Sequence, residues 1–217
     1  MNGSAVRVAA GPVALDGDLT VPEGATGVVA FAHGSGSGRT SPRNRQVSAV
    51  LADAGLATLR FDLLTPEEEQ LDLRTGGLRF DIALLAERLV GATGWLATQD
   101  ATRALPVGYF GASTGAAAAL VAAARLPERV RAVVCRGGRP DLAGPALAAV
   151  TAPVLLIVGG ADHTVLELNH QAATQIRGPV EVVVVPGAGH LFEEPGALDE
   201  VARLARDLLL EHLAPAG

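Results

Sequence analysis

Val107-Gly108-Tyr109-Phe110-Gly111-Ala112-Ser113-Thr114-Gly115-Ala116 is the stretch on which the fold turns. The apolar run Val107 to Phe110 reads as a buried strand, and the Ala/Leu stretch from Ala116 to Leu126 reads as a helix. Between them stands G-x-S-x-G, which in a strand, sharp turn and helix context is a nucleophile elbow. The turn holds the serine in a strained backbone conformation. Side chains two residues before and after it would collide, so Gly111 and Gly115 are needed there. The plainer alternative is a glycine-containing turn that merely includes a serine, and the flanking strand and helix argue against it.

A nucleophilic serine needs a base, and the base needs an orienting acid. Downstream, the apolar run Val154 to Val158 ends in Gly159-Gly160-Ala161-Asp162. After a helical stretch from Val165 to Ile176, the β-branched run Val180 to Val185 ends in Pro186-Gly187-Ala188-Gly189-His190. Each candidate therefore follows the C-terminal end of a strand, where open α/β sheets place their chemistry. The order Ser113, Asp162, His190 is the one expected for an elbow serine of this kind. Asp141 also follows a strand and is the alternative acid, but the Gly-Gly-x-Asp setting favours Asp162. Glu167 should face solvent from a helix, and His163, His170 and His212 read as surface or helix residues.

The run Val28 to Ala32 ends in His33-Gly34-Ser35-Gly36-Ser37-Gly38, a loop able to bring backbone N–H groups close to a ligand. With the N–H of Thr114, the residue after the nucleophile, the N–H of Ser35 would complete an oxyanion hole. His33 reads as shaping this loop, and Asp62 as hydrogen-bonding its backbone. A dinucleotide loop is the competing reading. Glycines at 34, 36 and 38 give G-x-G-x-G rather than G-x-G-x-x-G, and Arg39 and Pro42 delay the helix that should follow.

With these pieces in place the chain resembles the α/β-hydrolase superfamily, most closely its dienelactone-hydrolase-like branch, from Val13 to Leu213. That resemblance implies an α/β-hydrolase fold, with a mostly parallel central sheet, helices on both faces and no cap domain. It also implies a serine hydrolase of small carboxylic esters or lactones that uses no metal or organic cofactor. An acyltransferase or thioesterase with the same triad, or a slow-turnover ligand-binding receptor, are the alternatives. Dienelactone hydrolases proper carry cysteine at the nucleophile position. Here it is Ser113, which favours an ordinary serine esterase. Arg136 and Arg139 follow the Val130 to Cys135 strand at the same end of the sheet, and arginine suits two-point capture of a carboxylate. Since dienelactone hydrolases bind a substrate carboxylate through arginines, both are candidate substrate-binding residues. The alternative is a salt bridge to Asp141 or to the segment Leu63 to Gly77.

At 217 residues and 49% hydrophobic content, the chain reads as a single domain over residues 1–217 with a sheet covered on both faces. A net charge of −6 and the absence of any lysine-rich tract argue against nucleic acid as a partner. No run reaches membrane-spanning length, and Met1 to Gly11 lacks the pattern of a signal peptide. The single Cys135 cannot form an internal disulfide and reads as a buried strand residue. A soluble cytoplasmic protein acting on a small molecule is expected, with a homodimer left open. The remaining elements alternate. Val6 to Ala9 and Val13 to Leu19 read as antiparallel edge strands, Leu56 to Phe61 as a strand, and Pro42 to Ala54, Arg79 to Leu96 and Leu198 to Leu213 as helices. The stretch from Leu63 to Gly77, with Pro66-Glu67-Glu68-Glu69, reads as a solvated acidic loop near the rim of the site.

Overall fold

The computed structural model describes residues 3–214, so Met1 and Asn2, where the signal-peptide reading begins, lie outside the described residues. From the N-terminus run β1 (Ser4–Ala10), β2 (Val13–Thr20), β3 (Gly27–Ala32), α1 (Pro42–Asp53), β4 (Leu56–Phe61), α2 (Pro66–Thr75), α3 (Ile82–Leu96) and β5 (Val107–Ala112). There follow α4 (Thr114–Arg125), β6 (Val130–Arg136), β7 (Val154–Gly159), α5 (His163–Ala173), β8 (Val180–Val185) and α6 (Ala197–Leu213). Turns of 3-10 helix cover Leu78–Phe80 and Pro140–Ala149, and no cap domain stands between β6 and β7. The expected alternation is present, with one correction. Leu63 to Gly77 is not an open loop: its middle is α2, closed at its start by Thr65 and Glu68 in a reciprocal capping box.

Strands β3, β5 and β7 are buried at every residue, which suits the middle of a sheet covered on both faces. The eight strands lie in the order β1-β2-β4-β3-β5-β6-β7-β8. The β1/β2 and β2/β4 pairs are antiparallel, and β3 through β8 are parallel. Successive strand residues point to opposite faces. Tyr109 therefore joins the layer under α3 and α4, with Leu89 and Leu120, while Phe110 joins the layer under α1 and α6, with Phe31, Leu51 and Leu209. Cys135 is fully buried on the α3/α4 side, opposite Gly111 on the neighbouring strand.

The chain runs from β3 outward to β4 and then returns past β3 to place β5 on its other side. At that reversal the loops leaving β3 and β5 diverge and open a crevice above their carboxyl ends. Ser113 follows β5 and His33-Gly34-Ser35 follow β3. The sheet topology alone thus brings the elbow and the glycine loop together.

Candidate active site

Ser113 has φ 50° and ψ −120°, a conformation that a non-glycine residue adopts only under constraint. The strain is of order 1–3 kcal/mol, and burial of Phe110 before the turn and Leu120 after it contributes about 1.5–3 kcal/mol each, enough to hold the turn closed. The glycines do what the sequence pattern asks of them. A Cβ on Gly111 would stand 2.5 Å from Ala116 Cα, and one on Gly115 would run into the carbonyl oxygens of Ala32 and His33. On the far side of the elbow, Ser113 N–H donates to the Arg136 carbonyl (3.2 Å), and Arg139 N–H donates to the Ser113 carbonyl (3.1 Å).

Asp162 Oδ2 lies 2.7 Å from His190 Nδ1. Two main-chain bonds hold these residues at this distance: Gly160 N–H donates to the Val185 carbonyl and Ala161 N–H to the Ala188 carbonyl, zipping the loop after β7 to the loop after β8. Gly159 makes the approach feasible, since a Cβ there would collide with the Ala188 carbonyl. The imidazole lies beside Gly137, with His190 Cε1 3.6 Å from the position a Cβ would take. Gly137 in turn follows Arg136, whose carbonyl holds Ser113. Ser113 and His190 therefore flank the same glycine. No hydrogen bond joins His190 Nε2 to Ser113 Oγ among the described residues. Asp141 is engaged elsewhere, accepting from Arg139 Nε (2.8 Å) and Nη2 (2.7 Å).

Gly34 lies against the elbow, its would-be Cβ 3.0 Å from Ser113 Cβ. Ser35 and Thr114 are brought together, but the Ser35 N–H donates to Thr114 Oγ1 at 3.0 Å. Thr114 N–H opens α4 and belongs to the first turn, whose N–H groups have no intrahelical acceptor. Asp62 binds the loop backbone as expected, accepting from Arg39 N–H at 2.7 Å.

His33 is the keystone of this loop. Leu63 N–H donates to His33 Nε2 (3.0 Å), so the ring proton sits on Nδ1 and donates to the Gly34 carbonyl (3.0 Å). Burial lowers the His33 pKa below its ordinary value, against the raising pull of the Gly34 bond and of Asp62 and Glu69. Because the folded state takes up fewer protons than the unfolded one, the stability it contributes is full above the unfolded value of about 6.5. That stability is lost as pH falls from there through the folded value. The thermal midpoint should therefore drop more steeply on acidification in the parent than in His33→Gln. Parallel pH profiles for the two proteins would show that this ring does not titrate on unfolding.

The two arginines divide. Arg139 is paired with Asp141. Arg136 is buried, with its guanidinium carbon 5.8 Å from the centroid of the Phe192 ring, and its Nε and Nη1 have no hydrogen-bond partner among the described residues. Burial, and then the neighbouring Arg43 charge, push the Arg136 guanidinium down to about 10. Phe192 itself, two residues past His190, is held at φ 56°; nothing in the sequence signals this contact.

A cavity of about 130 Å³ opens on the β3 and β4 side of the elbow. The glycine loop with Thr114 forms one wall, and the lining elsewhere includes Leu63, Leu64, Leu73 and Leu85 together with the carboxylates Asp62, Glu69 and Asp72. None of Ser113, Asp162 and His190 lines it. Among the described residues no group of three or more His, Cys, Asp or Glu side chains could hold a metal ion, and no helix is long and apolar enough to cross a membrane.

The profile of the dienelactone hydrolase family matches residues 15–213. Proteins from two Mycobacterium tuberculosis strains, provisionally named phosphoribosyl transferases, are 63% identical over 212 residues, which is 98% of this chain and 47% of theirs. The chain thus spans about half the length of these curated relatives. The crystal structure of a dienelactone hydrolase from Anabaena variabilis superimposes with a TM-score of 0.95 at 61% identity, covering 97% of this chain and 98% of that one. Est1E from Butyrivibrio proteoclasticus superimposes with a TM-score of 0.80 at 16% identity over 97% of this chain and 98% of its own, a likeness of fold alone.

Proposed function

The chain belongs to the dienelactone hydrolase family, and from that membership we propose that it is a hydrolase that cleaves small carboxylic esters or lactones through Ser113, His190 and Asp162. The observation that carries the reading is the 2.7 Å contact between Asp162 and His190, on loops at the same end of the sheet as a serine held at φ 50°. In this mechanism Ser113 Oγ bonds to the carbonyl carbon while its proton passes to His190 Nε2. The carbon–oxygen bond to the leaving group then breaks, and His190 returns the proton to that oxygen. Water repeats the sequence on the acyl-enzyme and releases the acid. Asp162 fixes the imidazole and stabilises its cation, and the Thr114 and Ser35 N–H groups face the oxyanion, Ser35 once the Thr114 hydroxyl turns away or shares it.

The Anabaena relative's name favours a lactone or ester, whereas Ser113 in place of cysteine favours the more general esterase. An acyltransferase or thioesterase would use the same residues and differ only in the acceptor or leaving group. The transferase name of the tuberculosis relatives belongs to proteins about twice as long, and the serine, histidine and aspartate proposed to react have no evident task in phosphoribosyl transfer. We place the reaction in the cytoplasm. A fluorophosphonate probe should label Ser113, and p-nitrophenyl acetate should turn over. The absence of both labelling and turnover would overturn the reading and leave a ligand-binding receptor.

Arg136, buried near His190 with unpaired nitrogens, is the proposed anchor for a substrate carboxylate. Arg139 has a partner already. An ester bearing a free carboxylate should react better than its neutral analogue. A charge-assisted bond of about 1.5–3 kcal/mol corresponds to tens- to hundredfold. Arg136→Gln should remove that preference and Arg139→Gln should not; equal rates for charged and neutral esters in the parent would assign Arg136 to structure.

A further inference from the structure

Taking Ser113 as the nucleophile, we infer that the cavity beyond the glycine loop holds the acyl part of the substrate and accepts a short, uncharged acyl group.

The tetrahedral carbon formed on Ser113 carries four substituents, and three of their directions are fixed by the site. Oγ comes from the elbow. The oxyanion faces the N–H groups at Thr114 and Ser35. The leaving oxygen must be on the side of the imidazole that protonates it, and His190 arrives from the β7 and β8 side of β5, beside Gly137. The acyl carbon is left to point the other way, across β3 toward β4. The cavity lies in that direction. Its lining includes Gly34, the residue packed against Ser113, with Ser35 and Thr114, and on the other side Leu63, Leu85 and Leu73 of α2.

Its volume and charge set the class of acyl group. At about 130 Å³ it is smaller than the ~300–1,000 Å³ usual for sites that enclose drug-sized ligands. Leucines line the body. Of the carboxylates at its edge, Asp62 is paired with Arg39 and Asp72 with Arg79, whereas Glu69 has no ion-pair partner among the described residues. An acid on the acyl chain would meet that charge in a partly enclosed space. Charge tolerance is therefore sided: the acidic edge is on the acyl side, and the unpaired Arg136 is on the leaving-group side.

The α2 side of the cavity is lightly built. Helix α2 buries only Asp72, and a Glu68–Arg88 ion pair (2.6 Å) and the Asp72–Arg79 pair (2.5 Å) tie it down. Leu73 is 73% exposed although it lines the cavity, so it can be changed without emptying the core.

The test compares kcat/KM for p-nitrophenyl acetate, butyrate and octanoate in the parent, Leu73→Ala, Leu73→Trp and Leu64→Ala. In the parent, octanoate should fall at least about tenfold below butyrate, the order expected when a chain outgrows its pocket. Leu73→Ala or Leu64→Ala should narrow that gap, and Leu73→Trp should lower butyrate relative to acetate. A monosuccinate ester, charged on the acyl side, should react at least about tenfold more slowly than its neutral amide counterpart, and Glu69→Gln should relieve this. If octanoate matches butyrate in the parent, or the leucine variants move all three esters by one factor, the acyl group lies elsewhere. If Glu69→Gln leaves the succinate penalty intact, the charge assignment is overturned. Failure of Ser113 labelling together with loss of all ester turnover would instead overturn the esterase reading on which this assignment rests.

Discussion

Ser113→Ala should fold as the parent does and hydrolyse esters about four to six orders of magnitude more slowly. Alanine removes only Oγ, leaving the main-chain bonds of the elbow to Arg136 and Arg139 in place, so circular dichroism and the melting profile should be close to the parent's. His190→Ala should lose a similar factor. The two losses should not add, because without a base the hydroxyl is not activated and without the hydroxyl the base has no proton to take. A double variant much slower than either single one, or substantial turnover by Ser113→Ala, would place the chemistry at another residue.

Asp162→Asn should cost about four orders of magnitude. An amide at this position can turn a donor toward His190 Nδ1, which drives the ring proton onto Nε2, the atom that must accept the serine proton. Asp141→Asn is the matched comparison. It disturbs a partly exposed pair with Arg139 that lies outside the triad geometry, and such pairs contribute about 1 kcal/mol or less. If Asp141→Asn instead produced the large loss, the acid would come from the loop after β6, and the Asp162–His190 contact would be structural.

The residues proposed to react were legible as candidates because each lies just beyond a parallel strand, and apolar β-branched runs mark such strands plainly. Gly111 and Gly115 announced a tight approach that the structure shows in the positions of Ala116 and the Ala32 and His33 carbonyls. The two arginines after β6 could not be separated from sequence. Their fates follow from strand parity and from Phe192, whose position depends on a positive φ that no residue pattern encodes. Helix α2 was a different case. Its three consecutive glutamates read as solvent-facing, yet Thr65 and Glu68 stand at capping-box spacing across its start, and only the tertiary placement over Leu63 and Leu85 turns that helix into a wall. The Ser35 to Thr114 bond was equally hidden, since it joins loops 79 residues apart.

Cys135 gives the chain an unusually quiet background. It is the protein's single cysteine, sealed in the core beneath the elbow, where burial pushes its thiol up to about 12. Almost none of it is thiolate at neutral pH, and no reagent reaches it without unfolding. A Ser113→Cys chain would consequently carry one accessible thiol, at the tip of the turn. Its rate of alkylation would report the reactivity of that position directly, with no substrate present and no other accessible thiol to subtract.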